Sequence, residues 1–453
     1  MTMSTSALRL GLLLPLLALA AACDKEKEVD PPAELVDLQA KVPVDRVWSV
    51  GVGGGDKTLR LGLRPALDGD RLYVVNHDGD VMALDARKGR VLWRKDSKVP
   101  FGGGPGVGGG RVVAGSTDGT IVALSAADGT ELWRVEIGGE VLAPPAVSED
   151  LVAVRSVDGR LRGLDAQDGR ELWLVEQTVP RLSLRGTSPP VIAGDLVICG
   201  FDNGKVVAVG RADGDVAWES AVAPSRGRTE LERLVDIDSQ VRVVGPDIYV
   251  VGFQGRAAML ALDSGQIWWA RDESSDRGLA VGEEALYVSA SNGDVKALRK
   301  RDGAPLWEQA ALHRRGLSAP VVDGNTLVVA DFEGYVHWLD LATGEVLARE
   351  RAGDSRVTNA PIVAQDMVYV MTDNGTLAAY RRGERKVASA PAGETPPPSS
   401  EASPASPETS PALPDSGPPS PQTASPETAT PSPDTTPPQP DTTPPQPETP
   451  PQG

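Results

Sequence analysis

Basic residues are in short supply. Forty-five Lys and Arg against 63 Asp and Glu leave a formal net charge of −18 over 453 residues, which excludes a surface built to neutralise nucleic-acid phosphates. Aromatic residues make up 4%, and there are three His and two Cys. Two thiols cannot build a disulfide framework. His77, His313 and His337 lie in different repeats, without the spacing of metal ligands. No Gly-x-Ser-x-Gly nucleophile elbow occurs. The glycine run at 101–110 (FGGGPGVGGG) lacks the Lys-Ser/Thr ending of a phosphate loop and reads as a tight turn between repeats. Cys199, inside the apolar stretch 195–200, reads as a buried, inert thiol. Nothing here marks a catalytic set, a metal site or a cofactor.

The chain ends are compositionally distinct from its body. After a single positive charge at Arg9 comes an apolar run at 10–22, too short to span a bilayer. It ends in small residues before Cys23 and resembles a lipoprotein signal peptide. That resemblance implies a signal at 1–22, lipid attached to Cys23, and a polar tether at 23–43. Asp24, directly after the cysteine, resembles an inner-membrane retention signal and leaves that membrane open as a destination. At the other end, 22 of the 39 prolines follow Ala390, and the stretch from Ala388 onward holds eight acidic residues and no basic one. Such a composition cannot support a core, so 384–453 is expected to be a Pro/Thr/Ser/Glu-rich disordered tail.

The body between them, 44–383, is one motif written about eight times. It reads Gly, then Gly ten residues on, then Trp four further on, and six copies keep both spacings. They end at Trp93, Trp133, Trp173, Trp218, Trp269 and Trp307. A seventh copy has Ala348 where Trp is due, and an eighth begins at Gly375 and runs out. Its missing end is supplied by Trp48 near the start of the body, in a strand-like run with no repeat of its own. Each copy holds two apolar runs about an Asp/Gly turn, with another apolar run upstream. Short strands in repeats of ~40 residues match the blades of a β-propeller. The expected fold is therefore all-β, an eight-bladed β-propeller of four-stranded antiparallel blades.

The run Ala83-Leu84-Asp85, with Gly89 and Trp93 behind it, resembles blades of the pyrroloquinoline-quinone-type propellers, in which the Trp docks on a neighbouring blade. Two segments break the repeat: Ser183-Leu184-Arg185-Gly186 after Val179, and the run from Glu230 to Asp238 (ELERLVDID). With these the chain resembles the BamB family of the Gram-negative β-barrel assembly machinery. The resemblance implies a non-catalytic lipoprotein on the periplasmic face of the outer membrane. It would bind a POTRA domain of BamA, alongside other Bam lipoproteins and unfolded outer-membrane proteins. It further implies that Leu182, Leu184 and Arg185 contact BamA, with Asp236 and Asp238 as nearby carboxylates. On the residues alone, Leu-x-Leu could equally bury one face of a strand, and both Asp could pair with Arg185 or Arg233. A quinone-dependent dehydrogenase, a channel-binding propeller and a structural envelope protein are the alternatives.

Overall fold

The computed structural model describes residues 30–54, 61–224, 228–229 and 231–383. Cys23, the signal and the tail at 384–453 lie outside the described residues. The described residues form eight sheets and no helix. The first blade runs through Ala66–Asp68, Arg71–Val75, Asp80–Asp85 and Val91–Asp96, each strand antiparallel to the one before. Six further blades follow in chain order, and the eighth is composite. The first strands of successive blades touch one another around the axis, and the fourth strands lie outermost.

Burial follows from this stacking. The second and third strands are covered on both faces, as in Arg71–Val75 and Asp80–Asp85, where only the end residues are accessible. They therefore read as continuous apolar runs instead of alternating ones. Fourth strands such as Val91–Asp96 are largely exposed. The apolar clusters lie between blades: Val113, Ile121, Val152 and Leu164 join the second blade to the third. Ile198, Val206, Ile248 and Leu260 join the fourth to the fifth.

The repeat motif has a physical explanation in this packing. Asp85 Oδ1 accepts the N–H groups of Arg87 and Lys88 at 3.0 Å each, closing the turn before the fourth strand. Gly89 follows with φ +68°, and a Cβ there would lie 2.6 Å from the Trp48 ring. Gly at this place therefore satisfies both the backbone and the indole lying on it. Each Trp Nε1 donates to a carbonyl in the next blade: Trp48 to Ala86, Trp93 to Ala126, Trp133 to Ala166 and Trp173 to Arg211. Trp218, Trp269 and Trp307 do the same to Leu262, Lys300 and Leu341, and the seven distances run from 2.9 to 3.2 Å.

The absence of an eighth Trp now makes sense. The turn that would receive it lies between the third and fourth strands of the last blade, and there the chain is interrupted. The last blade consists of Ile362–Ala364, Met367–Met371 and Thr376–Arg382, completed by Val44–Gly51 from the other end. The pairing runs from Val44 opposite Arg382 to Gly51 opposite Thr376. Trp48 thus completes the blade that contains Gly375, as expected. In place of an indole latch, the fully buried Trp338 meets Tyr380 edge-on at 5.6 Å across the last joint.

Two expectations are corrected. The glycine run does not turn: Phe101–Gly108 is the first strand of the second blade. A Cβ at Gly106 would lie 2.0 Å from the Pro145 carbonyl oxygen. The glycines are there because a neighbouring backbone passes too close for side chains. This blade also gains a fifth strand, Gly62–Leu63, paired in parallel with Gly103 and Gly104, so not every blade is four-stranded.

Candidate functional site

Because strand direction alternates, the connections between blades emerge on one face of the ring, together with the turns between second and third strands. The Asp-capped turns that receive the indoles lie on the other face. Both segments that break the repeat, 177–190 and 222–241, are blade-to-blade connections and therefore share a face. There Leu182 is 42% exposed and Leu231 64% exposed, while Leu184 is half-buried and Arg185 points outward. Leu231 carries no repeat signal. Its only trace in the sequence is an apolar residue between two Glu.

The first loop rests on the second. The Leu184 N–H donates to Asp236 Oδ2 at 3.0 Å, and Ser188 Oγ donates to the Ser239 carbonyl at 2.8 Å. Asp236 is itself pinned by a bridge to Phe253, with an N···O distance of 2.7 Å. The start of the second loop is a small capped turn. Glu232 accepts the N–H groups of Arg228 at 2.7 Å and Thr229 at 3.2 Å, while its own N–H donates to Thr229 Oγ1.

The two Asp do not stand on the surface. Asp236 is fully buried and Asp238 half-buried beneath the loop, so Asp236 acts on the exposed residues by holding the Leu184 backbone. Oxygens of Asp202, Asp236 and Asp238 lie within 4.8 Å of one another. The guanidinium that faces them is Arg155, which is buried and 3.1 Å from Asp202 Oδ1. Arg185 instead pairs with Glu140 at 2.5 Å. Burial first, then the negative charge of Asp202, pushes the Asp236 carboxyl up to about 7. Burial and the charges of Asp236 and Asp202 hold Asp238 well above the carboxylate range. Arg155 opposes both shifts but does not cancel them.

The remaining chemical candidates are dispersed. His77 sits at the Phe101 carbonyl, His313 between Asp30 and Asp294, and His337 is buried against Asp331. Burial pushes the Cys199 thiol up to about 12, as suits an inert side chain.

A ring of blades latched by Trp, with two interlocked loops raised on one face, places the molecule among the propellers built from quinone-type repeats. A model for the family described as outer membrane protein assembly factor BamB matches residues 44–94, 77–309 and 291–409, and the chain belongs to that family. An outer membrane protein assembly factor BamB of Pseudomonas aeruginosa is 50% identical over 370 residues, spanning 82% of this chain and 97% of the relative. The crystal structure of BamB from Moraxella catarrhalis superposes with a TM-score of 0.69 at 27% identity, covering 75% of this chain and all of that one. A quinohemoprotein alcohol dehydrogenase from Comamonas testosteroni reaches a TM-score of 0.60 at 13% identity over 77% of this chain and 78% of its own, a likeness of fold alone.

Proposed function

We propose that the chain is a non-catalytic scaffold for outer-membrane protein assembly and that its 182–185 loop engages a POTRA domain of BamA. The carrying observation is the interlocked pair of loops: Leu182 is exposed while the backbone behind it is fixed by Asp236. Rigid presentation of an apolar anchor lowers the ordering cost of binding. Leu182 and Leu184 would enter an apolar groove. Arg185, already drawn to Glu140, would exchange that carboxylate for one on the partner. Asp236 and Asp238 then serve as positioning residues. Lipid on Cys23 would hold the ring at the periplasmic face of the outer membrane, among other Bam lipoproteins and near unfolded outer-membrane proteins. The acidic tail would act as a spacer.

The test is capture of BamA from detergent-solubilised membranes by the tagged chain. The triple variant Leu182→Ala, Leu184→Ala, Arg185→Ala should lose capture with its melting temperature unchanged, since each truncated anchor costs upwards of ~1–2 kcal/mol. Asp236→Ala should weaken capture less. Normal capture by a folded triple variant would move the interface elsewhere. Anchoring is tested separately by labelled palmitate, which should enter the wild type and not Cys23→Ser; no label in the wild type would refute the lipid.

A further inference from the structure

The first strands of the blades leave a passage along the ring axis. Two cavities, of about 230 and 580 Å³, lie along it and share Arg64, Pro144, Gln240, Arg242 and Ala360 as walls. They are the two sides of one constriction. Arg64 leads into the first blade and Arg242 begins the fifth, Arg242–Val244, so the two side chains come from opposite sides of an eight-membered ring. Both reach the same acceptor: Arg64 Nη1 lies 3.3 Å and Arg242 Nη1 3.4 Å from Gln240 Oε1. Arg242 Nε also donates to the Leu279 carbonyl at 3.3 Å.

Two guanidiniums carry ten N–H donors between them, and one amide oxygen with one carbonyl leaves most unanswered. Burial pushes the Arg64 group down to about 10, and the positive charge of Arg242 adds to that effect. Burial lowers Arg242 as well. Both remain cationic at neutral pH, held side by side against their mutual repulsion. Among the described residues, the larger cavity has no carboxylate in its walls. In the smaller one, Asp276 pairs with Arg277 at 3.2 Å and Asp238 belongs to the cluster around Arg155. In a chain of net charge −18, two cations at the axis with no acidic partner among the described residues form a positive centre.

The walls beyond the arginines specify the rest of a ligand. Pro65, Pro105, Val243, Val281, Val321 and Ile362 line the larger cavity. Its volume falls within the ~300–1,000 Å³ of sites that enclose small organic molecules. Inorganic phosphate would satisfy the arginines but leave these apolar walls wet. We propose that the Arg64–Arg242 constriction binds a small amphiphilic carboxylate, its head between the two guanidiniums and its apolar body along the proline and valine walls. A planar carboxylate matches the guanidinium fork and can accept from both at once. The site adjoins the 182–185 loop, since Leu184 and Arg185 wall the smaller cavity, but the carboxylate would be held by Arg64 and Arg242 and its binding does not rest on a partner at that loop.

Calorimetric titration of the purified full chain with octanoate tests it, with octanol as the neutral match and acetate as the head alone. Octanoate should bind once per chain, and octanol and acetate at least about tenfold more weakly, the equivalent of 1.4 kcal/mol. Arg64→Gln and Arg242→Gln should each weaken octanoate at least about tenfold, and the double variant should abolish binding while the melting temperature holds. Should a Gln variant fail to fold, Arg64→Lys and Arg242→Lys keep the charge without the fork and should still lose affinity. The proposal is overturned if octanoate does not saturate the wild type at millimolar concentration, if octanol or acetate binds as well, or if folded variants bind like the wild type.

Discussion

Removing residues 44–51 is expected to unfold the whole ring instead of fraying one end. The deletion strips the outer strand from the last blade, along the full pairing from Val44–Arg382 to Gly51–Thr376, and leaves Thr376–Arg382 as an open edge. It also removes the latch to the first blade. Trp48 donates to the Ala86 carbonyl at 3.0 Å, lies on Gly89 and packs against Tyr369 at 6.0 Å. Truncating a fully buried Trp costs about 3–5 kcal/mol, so losing the half-buried Trp48 removes a part of that, against a total of about 5–15 kcal/mol for a typical domain. Loss of the strand pairing comes on top of that. Melting followed by far-UV circular dichroism should show a drop of many degrees or no cooperative transition. A melting temperature equal to that of the intact chain would show that the ring does not depend on this closure.

The second large effect is a stability that falls as pH rises. In the folded ring the Asp236 carboxyl is raised from 3.8 to about 7, chiefly by burial and then by Asp202. The folded state therefore binds a proton more tightly than the unfolded chain does. The stability this contributes is complete below about pH 4 and is lost as pH climbs through about 7. At 1.36 kcal/mol per unit, the swing is at most about 4 kcal/mol. Asp238, held up in the same direction by burial and by Asp236, extends the fall to higher pH. Thermal melts in matched buffers from pH 5 to pH 8 should show a declining melting temperature. Asp238→Asn should flatten the decline and raise the value at pH 8, because an amide can donate to Asp236 and carries no charge. A wild type equally stable at pH 5 and pH 8, or a variant with the same slope, would contradict this account of the cluster.

Most of the ring was legible in the sequence because its joints are local. Asp, Gly and Trp at fixed spacing encode a capped turn and an indole that docks on the next turn, so the motif reports blade number, order and the composite closure. The glycines of 101–110 misled because composition alone does not distinguish a turn from a strand crowded by its neighbour. The close pass of Pro145 over Gly106 is a contact between blades that no periodicity records. Asp236 and Asp238 look like surface carboxylates in a charged run. Their burial depends on Arg155 and Asp202, which arrive from two other blades. Arg64 and Arg242 were invisible for the same reason: each reads as an ordinary polar start to a strand, and only closure of the ring brings them to one point.

Composite closure also bears on the order in which the chain is made and folds. Val44–Gly51 emerges before any blade exists, and its partner Thr376–Arg382 comes last. Intervening blades can stack as they appear, since each buries its apolar face against the one before. The entropy of joining the ends grows only as the logarithm of the intervening length, about 0.6 kcal/mol per doubling. Completion is therefore a late and cheap step, but an all-or-none one. A chain stopped anywhere short of Thr376 carries an unpartnered first strand and an open seam, a mark that proteases acting on incompletely folded chains can read. The seam thus makes integrity of the entire body a condition for the survival of any part of it.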